Sequence, residues 1–209
     1  MSTWLSFFIN LHHYTGITHR KPVMLITGEG KNKTEQLYFS SFNEQHGNYV
    51  IRFVKTGLDT DPSRMLRSMK KAWTANGLNT KNGDKAYIVL DLDCDPQKIQ
   101  KIKSLQKSSK NIKFIVSNPC IEVWFILHFK YTTHPFEDSK DPKKELAKYI
   151  PGYKENMDIS EKIRPYLEKA GENIKKLTEH FNSINIKWGD VDCNPMTEVD
   201  TILKELGVL

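Results

Sequence analysis

Three acidic residues stand where two apolar runs stop. Met24–Thr27 ends at Gly28-Glu29-Gly30, and Ala86–Leu90 ends at Asp91-Leu92-Asp93-Cys94-Asp95. Magnesium and manganese take hard oxygen ligands and keep several waters, so two or three carboxylates are enough to hold one. Without a cation, acids packed that closely raise one another's pKa. Asp91 and Asp93 straddle a strand end two residues apart, which lets their side chains share a side. If the two strands are neighbours, Glu29, Asp91 and Asp93 converge beyond the carboxyl ends of a sheet, where open α/β folds take ligands. Plainer readings stand beside this one. Gly28-Glu29-Gly30 also reads as a turn with a solvated glutamate, and Asp95 before Pro96 reads as a helix cap rather than a ligand.

Other chemistries fit less well. Gly28-Glu-Gly-Lys-Asn-Lys-Thr34 has lysine and threonine near glycine but not the G-x-x-x-x-G-K-[ST] spacing, and no third glycine completes a dinucleotide fingerprint. Pro96-Gln97 interrupts the acidic run where a calcium loop would continue to glycine. Cys94, Cys120 and Cys193 form no CxxC pair, which argues against a zinc site or a disulfide framework and for a reducing compartment.

The elements around these acids alternate. Strands are expected at Val23–Thr27, Asn48–Lys55, Ala86–Leu90 and Ile112–Val116. Helices are expected from Lys33 to about His46, from Asp61-Pro62 to Ala75, from Asp95-Pro96 onward, and from Asn118-Pro119 through Phe129. This is an α/β pattern with right-handed crossovers and a mostly parallel four-stranded sheet under flanking helices. From Asp141 to Leu206 the chain reads as helices broken at Pro151-Gly152, Pro165 and Asn194-Pro195. The expected organisation is an extension over 1–20, an α/β core over 21–135 and a C-terminal helical lobe over 136–209.

Further residues earn a place by position. Glu35 opens a helix, where an acid complements the dipole, so both a structural and a functional role are open to it. Glu122 is one turn into a helix made otherwise of Val123, Trp124, Phe125, Ile126 and Leu127, so its carboxylate needs solvent or a partner. Ser117 and Asn118 follow the fourth strand on the same edge as the acids, where they can touch substrate or metal; Asn118-Pro119 is equally a helix start. His128 reads as a structural histidine at a helix end, and Trp124 and Phe129 as core. Arg64, Arg67 and Lys71 form a basic stripe at helical spacing, and Pro96–Lys110 holds five lysines and no acid. Such faces are either solvated or meet a phosphate backbone.

The 31 Lys and Arg exceed the 25 Asp and Glu by six, a mild excess that fits a polyanion without requiring one. The apolar patch Trp4–Leu11 lacks the basic flank and cleavage site of a signal peptide, and no run is long enough to span a membrane. A cytoplasmic protein is the expectation, its oligomeric state open.

Together, GEGKNKTE with LYF, YIVLDLDCD, VSNPCIEVWFILHF and NPMTEVDTILKEL resemble the RloB-like family, a Toprim-related group associated with restriction and abortive-infection loci. The resemblance runs from about Pro22 to Leu206, and its most specific element is Ser117–Phe129. Ile121 stands where family members more often have an aromatic. The resemblance implies a Toprim-like fold in which Glu29 and the Asp91-x-Asp93 pair are catalytic. The aspartates would hold Mg2+ or Mn2+, with Glu29 a general acid or base or a further ligand, and Glu35 and Glu122 around the same metal or a second. It further implies phosphodiester hydrolysis of DNA or RNA in anti-phage defence, beside the ATPase that RloB-like genes commonly neighbour; this chain has no nucleotide-binding motif, so any ATP use comes from that partner. Two other readings stay open: a non-catalytic Toprim scaffold that binds nucleic acid, a nucleotide signal or a partner protein, and an effector acting on tRNA.

Overall fold

The computed structural model describes residues 20–29, 33–43, 47–56 and 60–209. At its centre β1 (Val23–Thr27) and β3 (Lys85–Asp91) run parallel side by side, so the two acid-bearing strand ends are neighbours. All five β1 residues are buried, as expected of a strand covered on both faces. β2 (Val50–Phe53) flanks β1, and β4 (Lys113–Asn118) flanks β3, both parallel. The expected sheet of four strands is corrected to five. Met196–Thr197 forms β5, antiparallel to β4, giving the order β2-β1-β3-β4-β5. It lies within the stretch expected to be all helix. Its two residues are too few to show any periodicity, and only their pairing with Ser117 and Asn118 makes them a strand. That pairing also carries β4 through Ser117 and Asn118, past its expected end at Val116.

Helix starts follow the caps written in the sequence. In α2 (Pro62–Ala75) the Asp61 carboxylate accepts from the Ser63 and Arg64 amides at 3.0 Å each. In α3 (Pro96–Lys107) Asp95 accepts from the Gln97 amide at 2.8 Å, with proline in the first turn of both helices. α1 (Thr34–Ser40) is shorter than expected, and the expected end at His46 lies outside the described residues. α4 (Glu122–Leu127) begins four residues later than Asn118, and Asn118 does not cap it. α2 and α3 pack together on one face of the sheet, while α1 meets α4 through Trp124 Nε1, which donates to the Tyr38 hydroxyl at 2.8 Å.

Beyond α4 come α5 (Lys140–Ala147), α6 (Ser160–Ile163), α7 (Leu167–Ser183) and α8 (Val199–Leu206). Both α5 and α7 pack on α4, and Asn173 of α7 donates to the Leu127 carbonyl at 2.8 Å. All six α4 residues are therefore buried, which is why this helix is apolar all round apart from Glu122. One continuous core runs from Val23 to Leu206. Among the described residues no helix is long and apolar enough to cross a membrane.

The extension expected over 1–20 lies outside the described residues except for Arg20. Its guanidinium donates to both oxygens of Asp84 at 2.8 and 2.6 Å, and the Val23 and Asn79 amides reach the same carboxylate at 2.8 and 2.9 Å. Burial alone would raise this carboxyl, but Arg20 and the two amides hold it down at about 2. A depressed folded-state pKa means stability that is present above about pH 4 and lost as pH falls toward 2. Asp84→Ala is expected to cost about 2–3 kcal/mol at pH 7, because two amides and a guanidinium lose their acceptor. Urea unfolding of both proteins from pH 7 downward checks this, and the gap should narrow below pH 4.

Candidate metal centre

The β1 and β3 ends bring Glu29, Asp91 and Asp93 to one edge, by a route the sequence reading only half anticipates. β3 includes Asp91, whose Oδ1 accepts from the Ile121 amide at 2.9 Å and so ties the strand end to the start of α4. The chain is no longer extended at Asp93, which adopts φ 54°. The strand alternation expected to aim the two aspartates together therefore does not apply. A tight turn does that work, pinned by Leu92 N to Ser117 O at 2.8 Å and Asp93 N to Pro119 O at 2.9 Å. Asp93 then accepts from Ser139 Oγ at 2.6 Å and from Lys98 Nζ at 2.9 Å. Lys98 also donates to both oxygens of Glu29, each at 3.0 Å.

Glu35 and Glu122 join the same crevice. Glu35, in the first turn of α1, is 5% exposed, and its Oε2 has no hydrogen-bond partner. Gly28 makes that position available, since a Cβ there would stand 3.0 Å from Glu35 Oε2. Glu122, the first residue of α4, is 2% exposed. Its Oε1 accepts from the Tyr153 hydroxyl at 2.8 Å and its Oε2 is unpartnered.

Electrostatics register the crowding. Burial pushes the Glu35 carboxyl up to about 8, and the charges of Glu122, Glu29 and Glu155 add to it. Burial likewise lifts Asp91 well above the usual carboxylate range, with Glu35, Glu122, Asp93 and Glu29 each contributing. Glu29 is raised by burial against the pull of Lys98. Asp93 goes the other way: its partial burial is outweighed by the hydrogen bonds from Ser139 and Lys98.

The remaining residues fall into two groups. Ser117 and Asn118 are buried and their polar groups are engaged. Ser117 Oγ pairs with Thr197 Oγ1 at 2.8 Å, while Asn118 accepts from Cys94 N at 3.1 Å and donates to the Cys193 carbonyl at 3.0 Å. Both hold the acidic turn in place. Arg64, Arg67 and Lys71 lie on the exposed side of α2, opposite buried Met65, Leu66 and Met69. Lys101 of α3 pairs with Asp61 at the α2 cap, so this basic face adjoins the helix that sends Lys98 into the crevice. His128 is buried, its Nδ1–H donates to the Trp124 carbonyl at 3.0 Å, and burial lowers it to about 4, so it stays neutral at the helix end.

The C-terminal segment completes the site with residues the sequence reading passes over. Tyr153 and Ser139 touch Glu122 and Asp93 directly. Asn156 clasps the start of α1, accepting from Lys33 N at 2.5 Å and donating from its own amide to Thr34 Oγ1 at 3.1 Å. Lys143 pairs with Glu155, close enough to Glu122 for that charge to help raise its ammonium.

The five acids offer oxygen donors alone, two of them buried without a partner, which is the chemistry of a hard divalent cation. Among the described residues, no three His, Cys, Asp or Glu side chains stand close enough together to ligate one ion as they are. The donor set suits such an ion, then, with the carboxylates still held apart. No curated protein and no solved structure matches the chain. The family model described as RloB-like protein matches residues 24–206, a span that takes in both strand ends, all five acids and β5. The chain belongs to the RloB-like family.

Proposed function

We propose that this protein is a Toprim-type, metal-dependent nuclease that hydrolyses DNA or RNA phosphodiesters in prokaryotic anti-phage defence, acting with an ATPase partner. The observation that carries this reading is the gathering of Glu29, Glu35, Asp91, Asp93 and Glu122 at the carboxyl edge of a parallel sheet. Crowded acids whose carboxyls are pushed upward by burial and by one another call for positive charge. In this reading Glu29, Asp91 and Asp93 would hold Mg2+ or Mn2+, and Glu35 and Glu122 would supply the unpartnered oxygens nearby. Bound there, such an ion would stabilise charge on a phosphate oxygen and lower the pKa of an attacking water. Glu29 would also take up the proton of an attacking water as its oxygen bonds to phosphorus, and return that proton to the departing oxygen as its bond to phosphorus breaks. Arg64, Arg67 and Lys71 on α2 contact backbone phosphates, which carry no base information.

One observation favours the rival reading of a non-catalytic scaffold: Lys98 already pairs with both Glu29 and Asp93. The two readings part on incubation of the purified protein with single- and double-stranded DNA and RNA in Mn2+ or Mg2+. The assay is run alone and beside a candidate ATPase partner. Metal-dependent cleavage supports the nuclease. Intact substrates under every combination, with the protein folded, would sink it.

A further inference from the structure

We propose that Lys98 is a resident cation of the acidic crevice, competing with a divalent ion for Glu29 and Asp93 and leaving them when the ion enters. This deepens the metal-site reading above and rests on it. The ammonium of lysine has three donors, and here all three distances fall within hydrogen-bond range of carboxylate oxygens: 3.0 and 3.0 Å to Glu29 and 2.9 Å to Asp93. The Lys98 side chain is 12% exposed, so this is no loose surface pair. Other lysines of α3 turn elsewhere: Lys101 pairs with Asp61 and Lys103 with Asp190.

A structural ion pair would need only its own acid. Lys98 instead bridges two acids, Glu29 and Asp93, whose charges bear in turn on Asp91 and Glu35, and Glu35 keeps a buried oxygen without a partner. One ammonium leaves such a cluster short of positive charge, and a divalent ion would bring twice as much. Size separates the two cations as well. Nitrogen-to-oxygen distances of 2.9–3.0 Å are about 0.9 Å longer than the roughly 2.1 Å that Mg2+ requires of its oxygens. An ammonium in that place therefore spaces Glu29 and Asp93 too widely for the smaller ion, in keeping with the absence of a closed ligand set among the described residues. Lys98 belongs to the first turn of α3, capped by Asp95, so its backbone stays fixed while the flexible side chain leaves. Once displaced it remains beside the crevice, where its natural acceptor is a non-bridging phosphate oxygen. The same lysine would then hold the empty site together and greet the substrate.

The test is Mn2+ binding by titration calorimetry and by electron paramagnetic resonance of free Mn2+, with wild type, K98M and K98R in the full chain. K98M keeps the length of the side chain and removes its charge. Its Mn2+ affinity is expected to rise about tenfold or more, because no ammonium has to be displaced. Cleavage by the same variant is expected to fall. K98R keeps the charge and should stay within about threefold of wild type, and circular dichroism melts establish that each variant is folded. An unchanged or weaker Mn2+ affinity in folded K98M overturns the competition, as does a K98R affinity that rises like that of K98M. If neither wild type nor K98M binds Mn2+ at millimolar concentration, the metal site itself is refuted and the inference falls with it.

Discussion

Asp91→Asn is expected to abolish metal-dependent cleavage and, in the same protein, to raise the melting temperature measured without metal. The two effects have one origin. Asp91 sits at the half-buried end of β3, and loss of solvent there together with the charges of Glu35, Glu122, Asp93 and Glu29 disfavours its charge. Asparagine keeps the oxygen that accepts from the Ile121 amide, so the tie between β3 and α4 survives. It removes the ionisable group that the folded state penalises near neutral pH. A gain of about 1–3 kcal/mol follows, or roughly 2–12 °C in a domain of this size. Loss of a direct metal ligand should cut cleavage by at least about 100-fold, since even outer-shell partners of metals are worth 10- to 100-fold. Thermal melts of wild type and variant with and without Mn2+, paired with a cleavage assay, read both effects. A variant that is both less stable and still active would show that Asp91 is an ordinary structural aspartate. A variant that is more stable and still active would separate the crowding from the catalysis and return the protein to the scaffold reading.

What the sequence made legible depended on how locally each feature is determined. β1 and β3 are unbroken apolar runs bounded by glycine or acids, and Asp61-Pro62 and Asp95-Pro96 state their helix starts in adjacent residues. Glu122 stood out because a carboxylate on a wholly apolar helix is a local contradiction. Glu35 was harder, since an acid in a first helical turn has an ordinary explanation in the dipole. Only the absence of a side chain at Gly28 lets it sink beside the strand end. Lys98 was hidden among five lysines of one stretch, and its distinction is purely tertiary, as it points at Glu29 and Asp93 while its neighbours do not. Tyr153 and Ser139 lie 31 and 46 residues beyond the acids they touch, with no spacing rule to connect them. The same holds for β5, whose two residues become a strand only through the register of Ser117 with Thr197. Residue types thus announced the chemistry, while long-range packing decided which side chains serve it.

The second large effect is a dependence of stability on pH that reverses when metal is added. Glu35 titrates at about 8 in the folded chain against an ordinary value of 4.5. Between those values the folded protein holds a proton that the unfolded chain has released, so stability falls as pH rises through this window. One such group contributes at most about 1.4 kcal/mol per pH unit. From pH 5.5 to 7.5 the metal-free protein should therefore lose on the order of 2 kcal/mol, or roughly 4–8 °C. Asp91 and Glu29 are also raised and act in the same direction. Glu35→Gln removes this side chain's share of the slope, and should melt higher than wild type at pH 7.5 while matching it near pH 5.5. Mn2+ acts oppositely, because a cation binds the deprotonated carboxylates and must expel the proton first. The rise in melting temperature that saturating Mn2+ produces is accordingly expected to grow from pH 5.5 to 7.5. It should grow less steeply in Glu35→Gln, which has no proton to surrender at that position. Melting curves at four pH values, with and without Mn2+, decide the matter. If the metal-free protein is equally stable across this range, Glu35 is not a buried acid at the mouth of a metal site. If its stability falls but Mn2+ gives no pH-dependent rise, the acids are crowded for some purpose other than holding a cation.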